Sequence, residues 1–388
     1  MIPVSRPSTG AEELEAVEKV LQTGWLGLGE KTFEFEQAVK NYIGCQHVIA
    51  VNSGTSALHL ALEALGVGPG DEVIVPSLTF VGSVQAVLAT GATPVFCESR
   101  ETDLLIDIND VERKTTRRTK AIMPVHYCGN PCDMDHLLAL AGENHSWIIE
   151  DAAHAFGSTY KGRKIGSFGH ATCFSFDPIK NVTCGEGGAV LVQDESITEV
   201  LRRKRVLGID KEAWHRHQNA RPWFYEVTSR GFRYHMPNFC AAIGLVQLKK
   251  VDEFIRRRRE ICRLYDAAFS SLKVIRPLTI NYDEAAPHIY IVRVLNGHRD
   301  AFMDFLKERG IGTGVHYIAN HLQPAFKAYV KEPLPLASQL SEQIVTLPLY
   351  YDMSDSDAEK VIKSVLSFSK QSQRLLRCPP KIAASSSQ

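Results

Sequence analysis

The chain reads as an α/β protein with a large, mainly parallel sheet, followed by a smaller α+β part. Two observations predict this. Seven short apolar segments recur at residues 48–51, 72–76, 93–96, 121–125, 146–151, 171–176 and 189–192. Helical patterns such as 56–65 and 133–141 fall between most of them. Short buried strands alternating with helices imply a mostly parallel, seven-stranded sheet covered on both faces. The last two segments lack a helix between them, so one of that pair is expected to run antiparallel.

The elements follow in order. Ser8, Thr9 and Gly10 offer caps for an opening helix, with Glu12 placed for a capping box and Leu14, Val17, Val20 and Leu21 as its apolar face. A second helix covers 33–42, and the strand–helix alternation begins after it. Residues 208–235 are rich in His, Arg and aromatics without a clear period, and read as a long loop. A long helix is expected over 238–270, then strand 288–294, helix 301–309, strand 312–316 and a final helix 355–367. A chain of 388 residues exceeds one ordinary core. The expected division is a large domain over 1–240, a linking helix with a small domain over 241–370, and a frayed tail over 371–388.

Composition excludes several classes of function. Acidic and basic residues balance at 44 each, so no basic stripe favours nucleic acid. The densest basic run, Arg256-Arg257-Arg258-Arg259, falls in the long helix and reads as a solvated face. No apolar run approaches membrane length, and residues 1–7 lack a signal-peptide core. Cys128 and Cys132 form an isolated pair, so no metal site is expected. Scattered cysteines, odd in number, fit reduced thiols and a cytoplasmic setting.

Ligands of such sheets gather at the carboxyl ends of the strands. There, Asn52-Ser53-Gly54-Thr55-Ser56 has the composition of a phosphate cradle, and equally that of a helix cap. Asp151, in Glu150-Asp151-Ala152-Ala153-His154, emerges from a buried strand as a carboxylate for a buried cation, or as a loop cap. His154 is a ligand, a base or a packing residue. Phe80 follows the strand at 72–76, placed to cover a flat ring or to fill core. Lys180 follows the strand at 171–176, after a hydroxyl at Ser175 and before the turn Gly185-Glu186-Gly187-Gly188. A positioned lysine that can lose its proton suits amine chemistry on a carbonyl. Phosphate cradle, carboxylate, aromatic and lysine together match the needs of pyridoxal 5'-phosphate.

The chain resembles the DegT-type (DegT/DnrJ/EryC-like) nucleotide-sugar aminotransferases, which are pyridoxal-phosphate enzymes of fold type I, the aspartate aminotransferase-like group. The resemblance runs from Ser5-Arg6-Pro7 to about Leu366. It is carried by Gly24-Trp25-Leu26, Val51-Asn52-Ser53-Gly54-Thr55, Gly68-Pro69-Gly70-Asp71, Pro124-Val125-His126-Tyr127, Glu150-Asp151-Ala152-Ala153-His154 and the segment from Ser175 to Gly188. It implies that Lys180 forms the Schiff base with the cofactor and shuttles a proton, and that Asp151 pairs with the ring nitrogen. His154 would lie near the ring hydroxyl, Phe80 would stack on the ring, and Gly54, Thr55 and Ser175 would bind phosphate. A homodimer with shared sites is also implied. Many members carry an asparagine in a G-[FY]-N-[YF]-R motif that reaches the partner's phosphate. Here the segment is Gly231-Phe232-Arg233-Tyr234-His235, which leaves Arg233 or Asn238 for that contact. Asp177, close to the lysine, is expected to point away.

The resemblance further implies transfer of an amino group, with glutamate as donor, to a nucleotide-linked keto sugar. Pro124-Val125-His126-Tyr127, Ile179-Lys180-Asn181-Val182-Thr183-Cys184 and Gly310-Ile311-Gly312-Thr313-Gly314 carry a resemblance to the subgroup that aminates C4 over C3. Trp25, His316, Tyr317 and His321 are the candidates for sugar contacts. Sugar dehydratases of the family carry histidine where Lys180 stands. A non-catalytic sugar-nucleotide-binding relative would have a broken cofactor set. A nicotinamide oxidoreductase needs a glycine pattern that Gly24, Gly27 and Gly29 do not form.

Overall fold

In the computed structural model, which describes residues 1–209 and 225–377, the seven apolar segments pair into one sheet. They are β1 (His47–Val51), β2 (Glu72–Pro76), β3 (Thr93–Cys97), β4 (Thr119–Ile122), β5 (Trp147–Asp151), β8 (Ala171–Ser175) and β9 (Gly188–Val192). A small hairpin, β6 (Thr159–Tyr160) with β7 (Arg163–Lys164), stands apart. Every residue of β2, β8 and β9 is buried, as strands covered on both faces must be.

The strand order is β1-β9-β8-β5-β4-β2-β3. Only β9 runs against its neighbours, β8 and β1, and the other pairs are parallel. The connection from β8 to β9 contains no helix, so the chain turns back instead of crossing over. One end of the sheet therefore gathers the carboxyl ends of β1, β2, β4, β5 and β8 with the start of β9.

The covering helices are α1 (Ala11–Thr23), α2 (Glu30–Ile43), α3 (Gly54–Ala64), α4 (Val81–Ala89), α5 (Ile108–Lys114), α6 (Met134–Glu143), α7 (Glu195–Arg205) and the long α8 (Asn238–Phe269). Helix α3 packs on β8 and β9, while α1 and α2 lie along α8. Beyond α8, β10 (Ile275–Pro277), β11 (Tyr290–Val294) and β12 (Ile344–Leu347) make an antiparallel sheet. With them come α9 (Arg299–Glu308), α10 (Pro335–Gln343) and α11 (Asp355–Arg377). Tyr265, Phe269, Val292, Phe302 and Val361 share a second core there.

Several expectations are corrected. The capping box on α1 uses Glu13, whose Oε2 accepts the Gly10 N–H at 2.8 Å, and not Glu12. Glu13 is buried because Gln247 and Lys250 of α8 donate to it at 2.9 and 3.0 Å. That rotates α1 so that Leu14 and Leu21 face outward. The basic run on α8 is not all solvated: Arg258 lies among Phe254, Ile255, Ile261 and Cys262 on the buried face. Residues 312–316 form no strand, only a bridge from Gly314 to Thr346. The expected loop at 208–235 is partly outside the described residues, but its described flanks are tied down. Bridges join Ile209 to Val227, Val206 to Arg233 and Val51 to His235, and Phe232 stacks on Tyr234 beside His59. Helix α11 runs past residue 370, so residues 371–377 continue a helix where a tail was expected; residues 378–388 lie outside the described ones.

The start of β9 passes so close to the β1–α3 turn that a Cβ on Gly188 would lie 2.4 Å from Ser53 O and 2.8 Å from Gly54 N. Backbone cannot yield as a side chain can. Gly188→Ala is expected to cost about 1–3 kcal/mol, read as a lower thermal midpoint. Gly142→Ala, where a Cβ meets nothing within 4 Å, is expected to leave the midpoint unchanged or slightly higher.

Candidate active site

The strand ends enclose a cavity of about 390 Å³. Its lining includes Gly54, Thr55, Phe80, Asp151, His154, Ser175 and Lys180, with His316 and Tyr317 reaching in from the C-terminal part. The sheet explains the convergence: Gly54 and Thr55 follow β1, Phe80 follows β2, Asp151 and His154 lie at the end of β5, and Ser175 and Lys180 at the end of β8.

Asp151 ends β5, and alternation along the strand divides it from Glu150. Glu150 turns to the other face, where His126 Nε2 (2.8 Å), Gly169 N (2.7 Å) and Thr172 Oγ1 (2.6 Å) donate to it. Cys132 N–H donates to His126 Nδ1 at 3.0 Å, so the ring proton is on Nε2. Asp151 instead lines the cavity, accepting from Ser83 Oγ at 2.7 Å and from Ala153 N at 3.2 Å. Burial raises its carboxyl above the usual range, against the pull of Ser83, Ala153 and Lys180. It is a buried carboxyl group with acceptor capacity to spare.

Lys180 follows a tight turn in which Ile179 N–H donates to Asp177 Oδ1 at 3.1 Å and Lys180 N–H to Asp177 O at 3.1 Å. Asn181 clamps the next residue by donating to Phe156 O (3.2 Å) and Ala286 O (2.8 Å). Asp177 does not point away: it lines the cavity. Burial pulls the Lys180 ammonium down to about 8, although Asp177 and then Asp151 act the other way. Near neutral pH a useful fraction of this lysine is free amine.

The cradle is the start of α3. Ser53 caps it, accepting from Ser56 N at 3.0 Å, while the first-turn N–H groups of Gly54 and Thr55 need acceptors from outside the helix. Gly54 lies against Ser175, where a Cβ would sit 2.8 Å from the serine's Cβ. The two hydroxyls and the helix terminus thus form one donor patch suited to an anion. Opposite, Phe80 stands at the mouth, half exposed, 5.4 Å from the Tyr317 ring. Cys128 N–H meets His154 Nδ1 at 3.4 Å, which puts the ring proton on Nε2, 3.0 Å from Tyr317 Oη. Burial first, and then Lys180 and His316, hold His154 far below its ordinary pKa. His316 is drawn down to about 4 by burial and Lys180. Both rings are neutral donors or acceptors, not charges.

Four candidates do not line this cavity. Trp25 donates from Nε1 to Leu28 O at 2.8 Å. His321 is buried between Ser77 (2.6 Å) and Ser338 (2.8 Å), a pin between β2 and α10. Asn238 spends its amide within the chain, donating to Trp25 O and accepting from Thr32. Arg233 is exposed on the tied-down flank. Conversely, Ser83, Glu186 and His288 were not singled out from the sequence. Ser83 stands three residues after Phe80, one helical turn on, which is the only signal that could have found it. His288 was legible only as the first residue of an expected strand.

A fold with a cavity holding a lysine, a carboxylate and a phosphate-type cradle at the carboxyl ends of its strands defines a pyridoxal-phosphate-dependent aminotransferase of fold type I. A model of the DegT/DnrJ/EryC1/StrS aminotransferase family matches residues 7–366, and the chain belongs to that family. It is 41% identical over 373 residues to the spore coat polysaccharide biosynthesis protein SpsC of Bacillus subtilis, covering 94% of this chain and 96% of the relative. Among solved structures, the aminotransferase TlmJ of Streptoalloteichus hindustanus superposes with a TM-score of 0.89 at 37% identity, over 96% of this chain and 100% of the other. The putative sugar aminotransferase Spr1654 of Streptococcus pneumoniae in its PMP form gives 0.90 at 32%, also over 96% and 100%, and it has been solved in a PLP form as well.

Only the free amine reacts with acylating or arylating reagents, so Lys180 labelling in the cofactor-free protein should rise with pH through a midpoint of about 8. Exposed lysines should follow near 10.4. Peptide mass mapping after brief exposure to trinitrobenzenesulfonate, from pH 6 to 11 in round figures, reads both. A Lys180 midpoint with the surface lysines would contradict the buried-amine geometry.

Proposed function

We propose that this protein transfers an amino group from L-glutamate to a nucleotide-linked keto sugar, at C4 rather than C3, using pyridoxal 5'-phosphate held by Lys180. The observation that carries the reading is Lys180 sharing one cavity with the buried carboxylate of Asp151 and the Gly54–Thr55–Ser175 patch. The donor set fits the cofactor. Asp151 would hold the ring nitrogen as its buried counter-ion, and the Gly54–Thr55–Ser175 patch would hold the phosphate. His154 would stand near the ring hydroxyl, with Phe80 over the ring. Bound there, the cofactor supplies a carbonyl that takes up the donor's nitrogen and a ring that withdraws electrons.

The chain's own residues supply the rest. Lys180 Nζ would hold the cofactor and, once released, would take the proton from the donor's α-carbon and give it to the cofactor carbon that takes up the donor's nitrogen. A lysine with a pKa of about 8 does both near neutral pH. Ser83 and Ala153 donate to Asp151 and so favour its ionised form against the upward push of burial. His316 and Tyr317 face the cavity from the C-terminal part and are the sugar contacts we retain. Trp25 and His321 are occupied elsewhere in the chain and are dropped as contacts within it.

A homodimer is part of this reading. Of the two residues considered for the partner's phosphate, Asn238 is engaged within its own chain, whereas Arg233 is exposed; we assign that contact to Arg233. The polysaccharide role printed for SpsC and the sugar role printed for Spr1654 support a sugar acceptor. The C4 preference rests on the segments at 124–127, 179–184 and 310–314.

Glutamate added to the loaded enzyme is expected to release 2-oxoglutarate, and Lys180→Ala to lower that rate by a factor of about 10³ or more. Among 3-keto and 4-keto nucleotide sugars, amination of the 4-keto class is expected; turnover of 3-keto sugars alone sinks the regiochemistry. Removing the Ser83 donor should raise the Asp151 pKa further. Because pairing with the ring nitrogen needs the carboxylate, cofactor affinity is lost as pH falls through that pKa. Ser83→Ala should therefore move the acid limb of cofactor binding to higher pH and weaken binding about tenfold, measured by equilibrium titration. An unmoved acid limb would contradict the role given to Asp151.

A further inference from the structure

His288 stands just before β11, 1 % exposed, with its Nε2 3.3 Å from Lys180 Nζ. Its ring centroid is 4.3 Å from that of His154. Its Nδ1 is buried without a hydrogen-bond partner among the described residues. A fully buried polar ring normally satisfies both nitrogens. Here one is left unmade and the other meets the lysine.

The surroundings keep the ring neutral. Burial comes first, and then Lys180, His154, His316 and Arg258, all of which disfavour a second positive charge. Asp151 and Asp177 are the carboxylates that act on Lys180 itself. Between them, the lysine has two acids that favour its ammonium and one neutral imidazole within hydrogen-bonding reach.

We propose that His288 is the positioning residue of Lys180, docking its amine on the imidazole Nε2 whenever that amine is not bonded to the cofactor. This rests on the reading of Lys180 as the lysine that holds the cofactor. A lysine side chain has four flexible carbons, and once released it would spread over many rotamers. With one N–H accepted by Nε2, the amine keeps its lone pair for the substrate's α-proton. After Nζ takes that proton it is an ammonium with three N–H groups, one still accepted by Nε2. The ring gains no proton at any point, and the proton would leave Nζ for the cofactor carbon that takes up the donor's nitrogen.

The test compares His288→Phe, His288→Asn (polar but too short to reach Nζ) and His288→Gln, whose amide oxygen can still accept. Borohydride fixation followed by peptide mapping comes first. Pyridoxyl on a lysine other than Lys180 overturns the underlying reading and leaves nothing for His288 to position. With Lys180 confirmed, its labelling midpoint is measured in cofactor-free protein. Losing a neutral acceptor costs the ammonium, so Phe and Asn are expected to lower the midpoint, while Gln holds it near the wild-type value. In the loaded enzyme, Phe and Asn should slow the glutamate half-reaction about ten- to a hundredfold, with a larger primary isotope effect from α-deuterated glutamate. An unchanged or higher midpoint in all folded variants overturns the proposal. So does a slower reaction whose isotope effect does not change, because a merely structural loss would not single out the proton-transfer step. If the Phe variant fails to fold, the Asn and Gln pair gives the same contrast.

Discussion

The site depends on burial of two opposite ionisable groups in one cavity. Burial disfavours the charged form of each, so it pushes Lys180 down and Asp151 up. Their mutual attraction opposes both shifts, and so does Ser83 on the carboxylate side. The balance leaves a lysine near 8, close enough to neutrality to both give and take a proton. If the lysine were solvated it would stay protonated. If Asp151 were absent, the cavity would lose the buried carboxylate at the end of β5 that would pair with a protonated ring nitrogen.

The scaffold makes that burial possible through the reversed strand β9. Inserted between β1 and β8, it brings its first residues to the same sheet end as the β1–α3 turn, with Gly188 against the Ser53 carbonyl. Gly54 then meets Ser175 at the end of β8. Two turns far apart in sequence thus share one anion patch, and the absence of side chains at both glycines is what closes the gap. The second sheet adds the far wall, since Thr346 of β12 holds His316 at 2.7 Å. His288 enters from just before β11.

Much of this was legible in the sequence because it depends on local pattern. Strand β2 and the start of α8 fall where the sequence pattern puts them, at residues 72–76 and 238. The antiparallel pair followed from a missing helix, and the cavity-lining residues followed from their positions at strand ends. What was not legible depends on where a side chain turns after the backbone is set. Asp177 lines the cavity while its Oδ1 accepts from Ile179 N–H. His321 is lost to Ser77 and Ser338, partners 244 and 17 residues away. Arg258 reads as one of four equal arginines until the helix packs. Ser83 and His288 meet Asp151 and Lys180 across 68 and 108 residues of chain, contacts that only the packed fold reveals.

The most direct measurement is a crystal structure of the protein with pyridoxal 5'-phosphate. The account predicts the ring nitrogen about 3 Å from an Asp151 carboxylate oxygen. It also predicts the phosphate on the Gly54, Thr55 and Ser175 donors, and Lys180 joined to the cofactor. A cofactor bound with its phosphate away from that patch, or with its ring nitrogen facing a group other than Asp151, would contradict it.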